Sequence, residues 1–297
     1  MKKSITFTIT FAVFLVLMSC NTGEESVGES QIDTNPPILN DLDIWLRSNF
    51  VQPYNIEIQY KWDINDTDVD RFLHPPYEYS VQPVAEALLK AWIEPYTQVG
   101  GKDFIKKIAP RQFTFAGSFN YNPNSPTITL GVAEAGTKIT LFNIDYLDFT
   151  NINSIKQPLK TVHHEYGHIL NQNVPIDPAY GQVNPENYTA QWFNIGITEA
   201  NPNPTTEEQN MAARELGYIT AYGSSQESED FVEMVSEMLT NSKEEFDAMV
   251  ESIQNEEAKA FIRIKEAMVA EYFQVNFDID IYELQALTAA ATQELVN

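Results

Sequence analysis

The spacing of apolar residues predicts short strands and one helix in the first half of the chain. Apolar and polar residues alternate over residues 54–62, which indicates a strand, whereas residues 84–96 have the three- and four-residue spacing of a helix. Three further β-prone pieces, separated by Gly, Pro and Asn, cover residues 113–115, 127–131 and 138–142. We expect these pieces to form a small antiparallel sheet.

The second half of the chain is predicted to be mostly helical. Apolar positions at helical spacing predict helices over residues 158–171, 205–216, 229–240, 243–253 and 256–273. Pro158 is expected in the first turn of its helix, where its missing N–H costs nothing. Because strands come first and helices follow, the pattern favours the α+β class, with residues 38–297 as one domain.

Residues 1–37 differ in character from this domain. Lys2 and Lys3 precede an apolar run over residues 5–17 that ends in Leu-Met-Ser-Cys, the pattern of an export signal over residues 1–19. Cys20 is the one cysteine in the chain and stands where bacterial lipoproteins carry a lipidated cysteine. Residues 20–37 are polar and acidic, as in a solvated tether, so the sequence predicts a lipid-anchored protein.

Charge and composition exclude several classes of function. The chain has 18 Lys and Arg against 42 Asp and Glu, a formal net charge of -24. DNA and RNA are bound by a basic face that neutralises phosphate, so nucleic-acid binding is excluded. The only cysteine belongs to the signal, and the sequence contains neither a G-x-S-x-G motif nor a Gly-rich phosphate loop.

Three of the four histidines lie in the segment TVHHEYGHIL. His164, Glu165 and His168 form an H-E-x-x-H motif on a predicted helix. Residues four apart share one helical face, so both imidazoles can reach one metal ion while the glutamate addresses a water beside it. The alternative is a helix without metal, whose polar side chains face solvent while its apolar residues are buried.

A catalytic zinc site needs a third protein ligand. The extended pattern H-E-x-x-H-x-x-G-x-x-H fails, because Asn171 stands in the place of the glycine and Val174 in the place of the third histidine. The i+4 neighbour of His163 is a glycine, so this histidine is expected to flank the site, and His74 lies in a predicted turn. A carboxylate is therefore the expected third ligand.

Residues 217–239 offer carboxylates at helical spacing. Glu229, Glu233 and Glu237 recur at every fourth residue, a pattern that in an acidic chain also describes a solvated stripe. Glu229 begins its helix just after a Gly-Ser-Ser turn, and Tyr222 stands seven residues earlier. These features favour Glu229 as the ligand, whereas Glu237 is expected to be a surface acid.

The pairing of HHEYGHIL with YGSSQESEDFVE resembles the zinc peptidases related to anthrax lethal factor, which are gluzincins. With Cys20 and the acidic tether, the chain is similar to the zinc-binding metallopeptidase lipoproteins found beside outer-membrane nutrient importers in Bacteroidetes. The resemblance is specific over residues 161–170 and 217–239. It is looser over residues 38–160, where turns such as HPPY and the helix end WIEPY carry it. The resemblance implies a zincin-like fold.

The resemblance also implies a role for each candidate site residue. The implied ligands of Zn²⁺ are His164, His168 and Glu229. Glu165 would be the general base, Tyr222 a hydroxyl near the developing oxyanion, and Glu233 a partner that orients a ligand histidine. Asp230 stands where the related peptidases have an aromatic residue, which leaves the local packing open.

These observations predict a zinc-dependent hydrolase, most simply a metallopeptidase that acts on a peptide or protein. The resemblance implies an outer-membrane lipoprotein, anchored through Cys20, with a nutrient importer as partner. Hydrolysis of another amide bond is compatible with the same site. A different function is a non-catalytic binding or docking lipoprotein, because 14 Tyr, 17 Phe and 4 Trp could line a groove. The presence of both Glu165 and Tyr222 favours the enzyme.

Overall fold

The computed structural model of the chain describes residues 38–62, 70–123, 127–134 and 136–296. The predicted export signal, Cys20 and the acidic tether lie outside the described residues. The chain from Asn40 onward forms one unit. Among the described helices, none has the length and apolar character that a membrane crossing requires.

Two long helical segments open the described part of the chain. Helix α1 comprises Asp41–Leu46, a π-helical segment Arg47–Val51 and a last turn Gln52–Tyr54. It begins at a capping box, in which the Asn40 side chain accepts from the Asp43 N–H and the Asp43 carboxylate accepts from the Asn40 N–H. Helix α2 runs through Glu78–Leu88, Leu89–Ile93 and Glu94–Gly100, longer than predicted at both ends, and the short helix α3 is Phe104–Ile108.

Four strands form the main sheet in the order β1-β2-β6-β5. They are β1 (Glu57–Gln59), β2 (Gln112–Phe115), β5 (Gly131–Glu134) and β6 (Lys138–Leu141). Strands β1, β2 and β6 are parallel, and β5 is antiparallel to β6. A second, antiparallel pair consists of β3 (Asn120–Tyr121) and β4 (Ile128–Thr129).

Two of the three pieces predicted to form an antiparallel sheet, residues 113–115 and 138–142, lie in β2 and β6, which pair in parallel, so the predicted direction is wrong for this pair. The physical reason is the connection between β2 and β6, which contains β3, β4 and β5 and returns the chain to the same end of the sheet. Strand β5, which directly precedes β6, does pair with it in the antiparallel direction. Parallel strands are covered on both faces, and Phe113, Thr114 and Phe115 of β2 are all buried. Successive buried residues carry no alternating pattern from which a strand direction could be inferred.

The second half is helical, which confirms the α+β class. Its helices are α4 (Ile152–Asn173), α5 (Thr206–Arg214), α6 (Glu227–Thr240), α7 (Lys243–Glu251), α8 (Glu256–Phe277) and α9 (Ile281–Glu294). The first five correspond to the predicted helices, with α5 and α7 two residues shorter than predicted at their C-terminal ends, whereas α9 was not predicted. Polar residues occupy buried positions of α9; for example, the Thr288 hydroxyl donates to the Leu239 carbonyl at 2.7 Å.

The predicted position of Pro158 at the start of its helix is wrong. Helix α4 begins at Ile152, after Asn151, whose side chain accepts from the Asn153 N–H. Pro158 lies inside the helix, where its ring removes one helical hydrogen bond. Buried Ile155 and Leu159 on either side keep this part of the helix packed on the core.

The core places α4 between the sheet and α6. On the sheet side, the Trp92 ring of α2 contacts Phe113 of β2 and Tyr166 of α4, with ring centroids 5.4 and 5.2 Å apart. On the other side, α4 has Gly167 where it meets α6. A Cβ at this position would lie 2.9 Å from Cγ1 of Val232, so the two helices pack so closely that any larger residue would have to displace the valine side chain.

We expect Gly167→Ala to destabilise the fold by up to about 2 kcal/mol. The added methyl overpacks the contact with Val232 at a cost of about 1–3 kcal/mol, and the better helix propensity of alanine offsets about 1 kcal/mol. Urea unfolding of Gly167→Ala, Val232→Ala and the double variant measures the coupling between the two sites. The double variant should lose less stability than the sum of the single losses. Strictly additive losses would show that the helices have room for the methyl group.

Candidate metal centre

Helices α4 and α6 bring two imidazoles and one carboxylate to a single point. His164 and His168 lie one turn apart on α4, with ring centroids 4.9 Å apart. Glu229 lies in the first turn of α6. Its Oε2 atom lies 3.2 Å from Nε2 of His164 and 3.3 Å from Nε2 of His168. One ligand atom from each of the three residues lies within 4.8 Å of the others, so the three side chains can hold one metal ion.

The distances within this group fit a tetrahedral zinc ion. Two atoms that each bind zinc at about 2.0–2.1 Å in a tetrahedral arrangement are about 3.3 Å apart. The two nitrogen-to-oxygen distances to Glu229 have this length. Two imidazoles and a carboxylate are also the donor set of a zinc site that keeps a fourth position open. The residues present therefore fit the metal that the motif predicts.

The pKa shifts of His164 and Glu229 indicate that the carboxylates favour positive charge at this point. Burial lowers the pKa of His164, but hydrogen bonds to the carboxylates of Glu229 and Glu233 outweigh this effect and raise the pKa to about 10. Burial raises the pKa of Glu229, yet hydrogen bonds with His164 and His168 hold it well below its usual range. A divalent cation beside the same carboxylate would supply positive charge in place of the extra proton on His164.

Glu233 orients His164 from the side away from Glu229. Its Oε1 atom lies 2.7 Å from Nδ1 of His164. Its Oε2 atom accepts from the Thr220 hydroxyl at 2.7 Å and pairs with Nζ of Lys160 at 3.1 Å. The carboxylate is thus fixed by two donors besides the imidazole. Such a contact at Nδ1 leaves Nε2 directed at the metal position.

Glu237 is buried, so its prediction as a surface acid is wrong. Its carboxylate accepts from Nζ of Lys160 at 2.6 Å and from the side chain of Asn241 at 2.9 Å. Lys160 lies on α4 one turn before His164 and bridges Glu233 and Glu237. The sequence analysis missed this lysine. The signal that could have revealed it is its spacing, since residues 160, 164 and 168 share one helical face.

Glu165 lies beside strand β5. The residue is 8% exposed, and its carboxylate accepts a hydrogen bond from the backbone of Ala133. Burial raises the pKa of Glu165 above its usual value. A Cβ at Gly131 would lie 2.3 Å from Cγ2 of Thr161 and 3.7 Å from Oε1 of Glu165. The strand therefore approaches this part of α4 closely because residue 131 is a glycine.

Tyr222 lies over the imidazole of His164. Their ring centroids are 5.8 Å apart and nearly parallel, and the Trp192 ring meets the phenol edge-on at 5.1 Å. The residue is 38% exposed. Burial, with the nearby carboxylates of Glu229 and Glu233, raises the pKa of Tyr222 above its usual value, so the hydroxyl keeps its proton at neutral pH. Trp192, which the sequence analysis missed, holds the phenol from the side.

The other two histidines lie apart from the group. The His163 ring stacks on Tyr96 with centroids 5.9 Å apart, and burial lowers its pKa to about 3, which describes a neutral core residue. Nδ1 of His74 lies 2.9 Å from the Pro75 carbonyl and 3.8 Å from Asp145. Neither histidine reaches the group formed by α4 and α6.

The chain is similar to proteins described as zinc-binding. A sequence profile described as "Putative zinc-binding metallo-peptidase" matches residues 37–282. Among solved structures, the chain is similar to the crystal structure of a putative zinc-binding metallo-peptidase from Bacteroides caccae ATCC 43185. The two chains are 29% identical with a TM-score of 0.68, and the match covers 86% of this chain and 92% of that chain. No curated protein matches the chain.

We expect Glu229→Ala to raise the dissociation constant for zinc by at least about 100-fold, since even residues that only orient a ligand contribute about 10–100-fold. Competition with a chromophoric chelator measures the constant. Glu244→Ala, an exposed glutamate in the first turn of α7, is the matched control and should bind zinc like the unaltered chain. Tight binding by Glu229→Ala would assign the third ligand to another residue.

Proposed function

The chain belongs to the putative zinc-binding metallo-peptidase family, and on that premise we propose that it is a zinc-dependent peptidase. The observation that supports this proposal most directly is that His164, His168 and Glu229 converge at distances that suit a tetrahedral ion. Glu165 directly follows His164 in the chain. In the proposed mechanism these three side chains would hold Zn²⁺, and two imidazoles with one carboxylate would leave a fourth position for water. When bound, zinc supplies Lewis-acid polarisation of the water and of the scissile carbonyl.

Glu165 acts as the general base in this proposal. It accepts a proton from the attacking water and passes that proton to the amine that leaves. Its burial and the hydrogen bond from Ala133 support the role, because both hold the carboxylate in one place. A carboxylate whose pKa is raised by burial is also a better proton acceptor than an exposed one.

Tyr222 donates a hydrogen bond to the oxyanion of the tetrahedral intermediate. Three features support this role: the phenol lies over His164, it is partly exposed, and it keeps its proton at neutral pH. The hydroxyl also hydrogen-bonds to the carboxylate of Glu229, which keeps it beside the proposed ion, and a donor held in place before the reaction costs little reorganisation. Trp192 supports the proposal by restricting the ring from the side.

An extended peptide is the substrate that the surroundings support best. Strand β5 lies at the end of the main sheet, within the part of the chain that the structure describes. Its Ala133 backbone contacts the carboxylate of Glu165. A peptide that pairs with the outer edge of such a strand is held by backbone hydrogen bonds, independently of its side chains. The strand would thus bring a peptide bond next to the proposed base.

We further propose that the protein is a lipoprotein of the outer membrane, anchored through Cys20 and serving a nutrient importer. Support comes from the sequence: two lysines, an apolar run and a cysteine after small residues, followed by an acidic tether. With a net charge of -24, the chain has little attraction for anionic headgroups, so an acyl anchor would provide the attachment.

We expect Glu165→Gln to lower kcat by about 100- to 10,000-fold while zinc remains bound, because the amide is nearly isosteric but cannot accept the proton. The unaltered chain is first screened against a quenched peptide library, and the variant is then assayed on the best substrate with its zinc content determined in parallel. Full turnover by a zinc-loaded Glu165→Gln would remove this residue from the proposed role. No turnover by the unaltered, zinc-loaded chain would favour the binding lipoprotein.

We expect Cys20→Ser to abolish incorporation of labelled palmitate and to move the protein from the membrane fraction to the soluble fraction. The reason is that the hydroxyl of serine is not the acceptor for the lipid. Ser26→Ala in the tether is the matched control and should leave both readouts unchanged. Labelling of the Cys20→Ser protein would show that Cys20 is not the anchor.

A further inference from the structure

We propose that the ion pair between Lys265 and Asp230 is a positioning pair that holds the segment carrying Tyr222 in register with the helical turn carrying Glu229. The roles of Tyr222 and Glu229 in this inference rest on the proposed function, whereas the contacts of the pair do not. Nζ of Lys265 on α8 lies 2.6 Å from Oδ2 of Asp230 on α6, and both side chains are 0% exposed. A completely buried pair of charges beside a candidate metal ligand requires a physical explanation.

Lys265 binds the segment that leads to Tyr222. Besides Asp230, its ammonium group donates to the Gly217 carbonyl at 3.0 Å and lies 4.1 Å from the centroid of the Tyr218 ring. Gly217 has a φ of +88°, which favours glycine, and a Cβ there would lie 2.9 Å from Nδ2 of Asn184. The backbone turn at Gly217 is therefore specific, and the lysine fixes the direction of its carbonyl group.

Asp230 binds the segment on the other side of the site. Its Oδ2 atom also accepts from the Tyr188 hydroxyl at 2.9 Å, and its backbone carbonyl accepts from the Tyr180 hydroxyl at 3.2 Å. Asp230 and Lys265 thus join α6 and α8 to two stretches outside the α-helices and strands, at residues 180–188, which include two short 3-10 turns, and at residues 217–218. Such turns and loops have no long helix or sheet ladder to fix their position, so contacts of this kind help to determine where they lie.

The residues that Lys265 and Asp230 contact lie close in the chain to residues of the candidate metal centre. Asp230 follows Glu229 in the first turn of α6, so a shift of the backbone of this turn moves both residues. Tyr222 lies four residues after Tyr218, and Thr220 between them donates to Glu233, the partner of His164. One ion pair therefore positions the phenol, the third candidate ligand and a donor to the carboxylate that orients His164.

The energetics of buried ion pairs indicate that stabilising the fold is not the main role of Lys265 and Asp230. Removing two charges from water is expensive, and replacing a buried ion pair by neutral residues of similar volume often leaves stability unchanged or raises it. Losing one partner alone is strongly destabilising, because the remaining charge is buried without compensation. A neutral isosteric replacement of both residues consequently separates the positioning role from the structural one.

The test is the double variant Lys265→Met/Asp230→Asn, which removes both charges at nearly constant volume. The asparagine still offers an acceptor to the Tyr188 hydroxyl. The control is Arg263→Met/Asp247→Asn, which removes an ion pair of 2.7 Å between α8 and α7 whose arginine also pairs with Glu251 and Glu266. Urea unfolding, hydrogen exchange of the metal-free proteins and zinc affinity by chelator competition are measured for both double variants.

We expect the Lys265→Met/Asp230→Asn protein to unfold near the urea midpoint of the unaltered chain. Amide exchange in residues 217–226 should become at least about 10-fold faster, with the rest of the chain unchanged. The zinc dissociation constant should rise by about 10-fold, as for other residues that orient ligands. The control variant should leave both quantities unchanged. Unaltered exchange and zinc affinity in the Lys265→Met/Asp230→Asn protein, or faster exchange spread evenly over the chain, would overturn the proposal.

Turnover adds a test of the coupling to Tyr222. If the pair positions the phenol, Tyr222→Phe should lower kcat several-fold less in the Lys265→Met/Asp230→Asn background than in the unaltered chain. Equal losses in both backgrounds would overturn this part.

A chain without peptidase activity would contradict the proposed function, but the exchange and zinc measurements involve no substrate and still decide the proposal. Should the double variant not fold, Tyr188→Phe loses one hydrogen bond to Asp230 and should accelerate exchange of residues 217–226 less strongly.

Discussion

The close packing of α4 against α6 is the contact on which the candidate site depends. Gly167 lets the backbone of α4 approach Val232 of α6. At that separation, Oε2 of Glu229 lies 3.2 and 3.3 Å from the two imidazoles of α4. The sheet and α2 support α4 from behind through the rings of Trp92 and Tyr166. The fold thus holds its candidate ligands on two packed helices rather than on loops, which limits their motion.

Many ionisable side chains are buried around the contact between α4 and α6, and pairing with positively charged or hydrogen-bonding groups stabilises them there. Glu165, Glu229, Glu233 and Glu237 are each less than 9% exposed. Carboxylates at such burial are stable only when paired, and the pairing comes from imidazoles, Lys160 and the hydroxyl of Thr220. A metal ion held by His164, His168 and Glu229 would add positive charge beside these carboxylates. The stripe of glutamates on α6 is therefore part of the site and is not a solvated face.

How much of the fold could be predicted depended on the type of element. Helical spacing predicted α4 to α8, since one buried face of a helix recurs every three to four residues. The direction predicted for β2 and β6 was wrong, because β2 is buried on both faces and the chain between the two strands, which contains β3, β4 and β5, returns to the same end of the sheet. Helix α9 was missed because Gln285 and Thr288 are buried polar residues whose partners, the carbonyls of Asn241 and Leu239, lie on another part of the chain.

The sequence by itself determined that His164 and His168 share one face, because four residues make about one turn of a helix, and that Glu165 stands beside them. Among three equally spaced glutamates it favoured Glu229 as the third ligand, and the resemblance implied that Glu233 orients a ligand histidine. The tertiary structure showed the distances at which Glu229 and Glu233 meet the imidazoles, and only the tertiary structure decided that Glu237 is buried and pairs with Lys160. Lys265 and Asp230 likewise have no local signature of pairing. The physical reason is that periodicity specifies a face within one helix, whereas contacts between helices depend on packing distances that residues far apart in the chain set together.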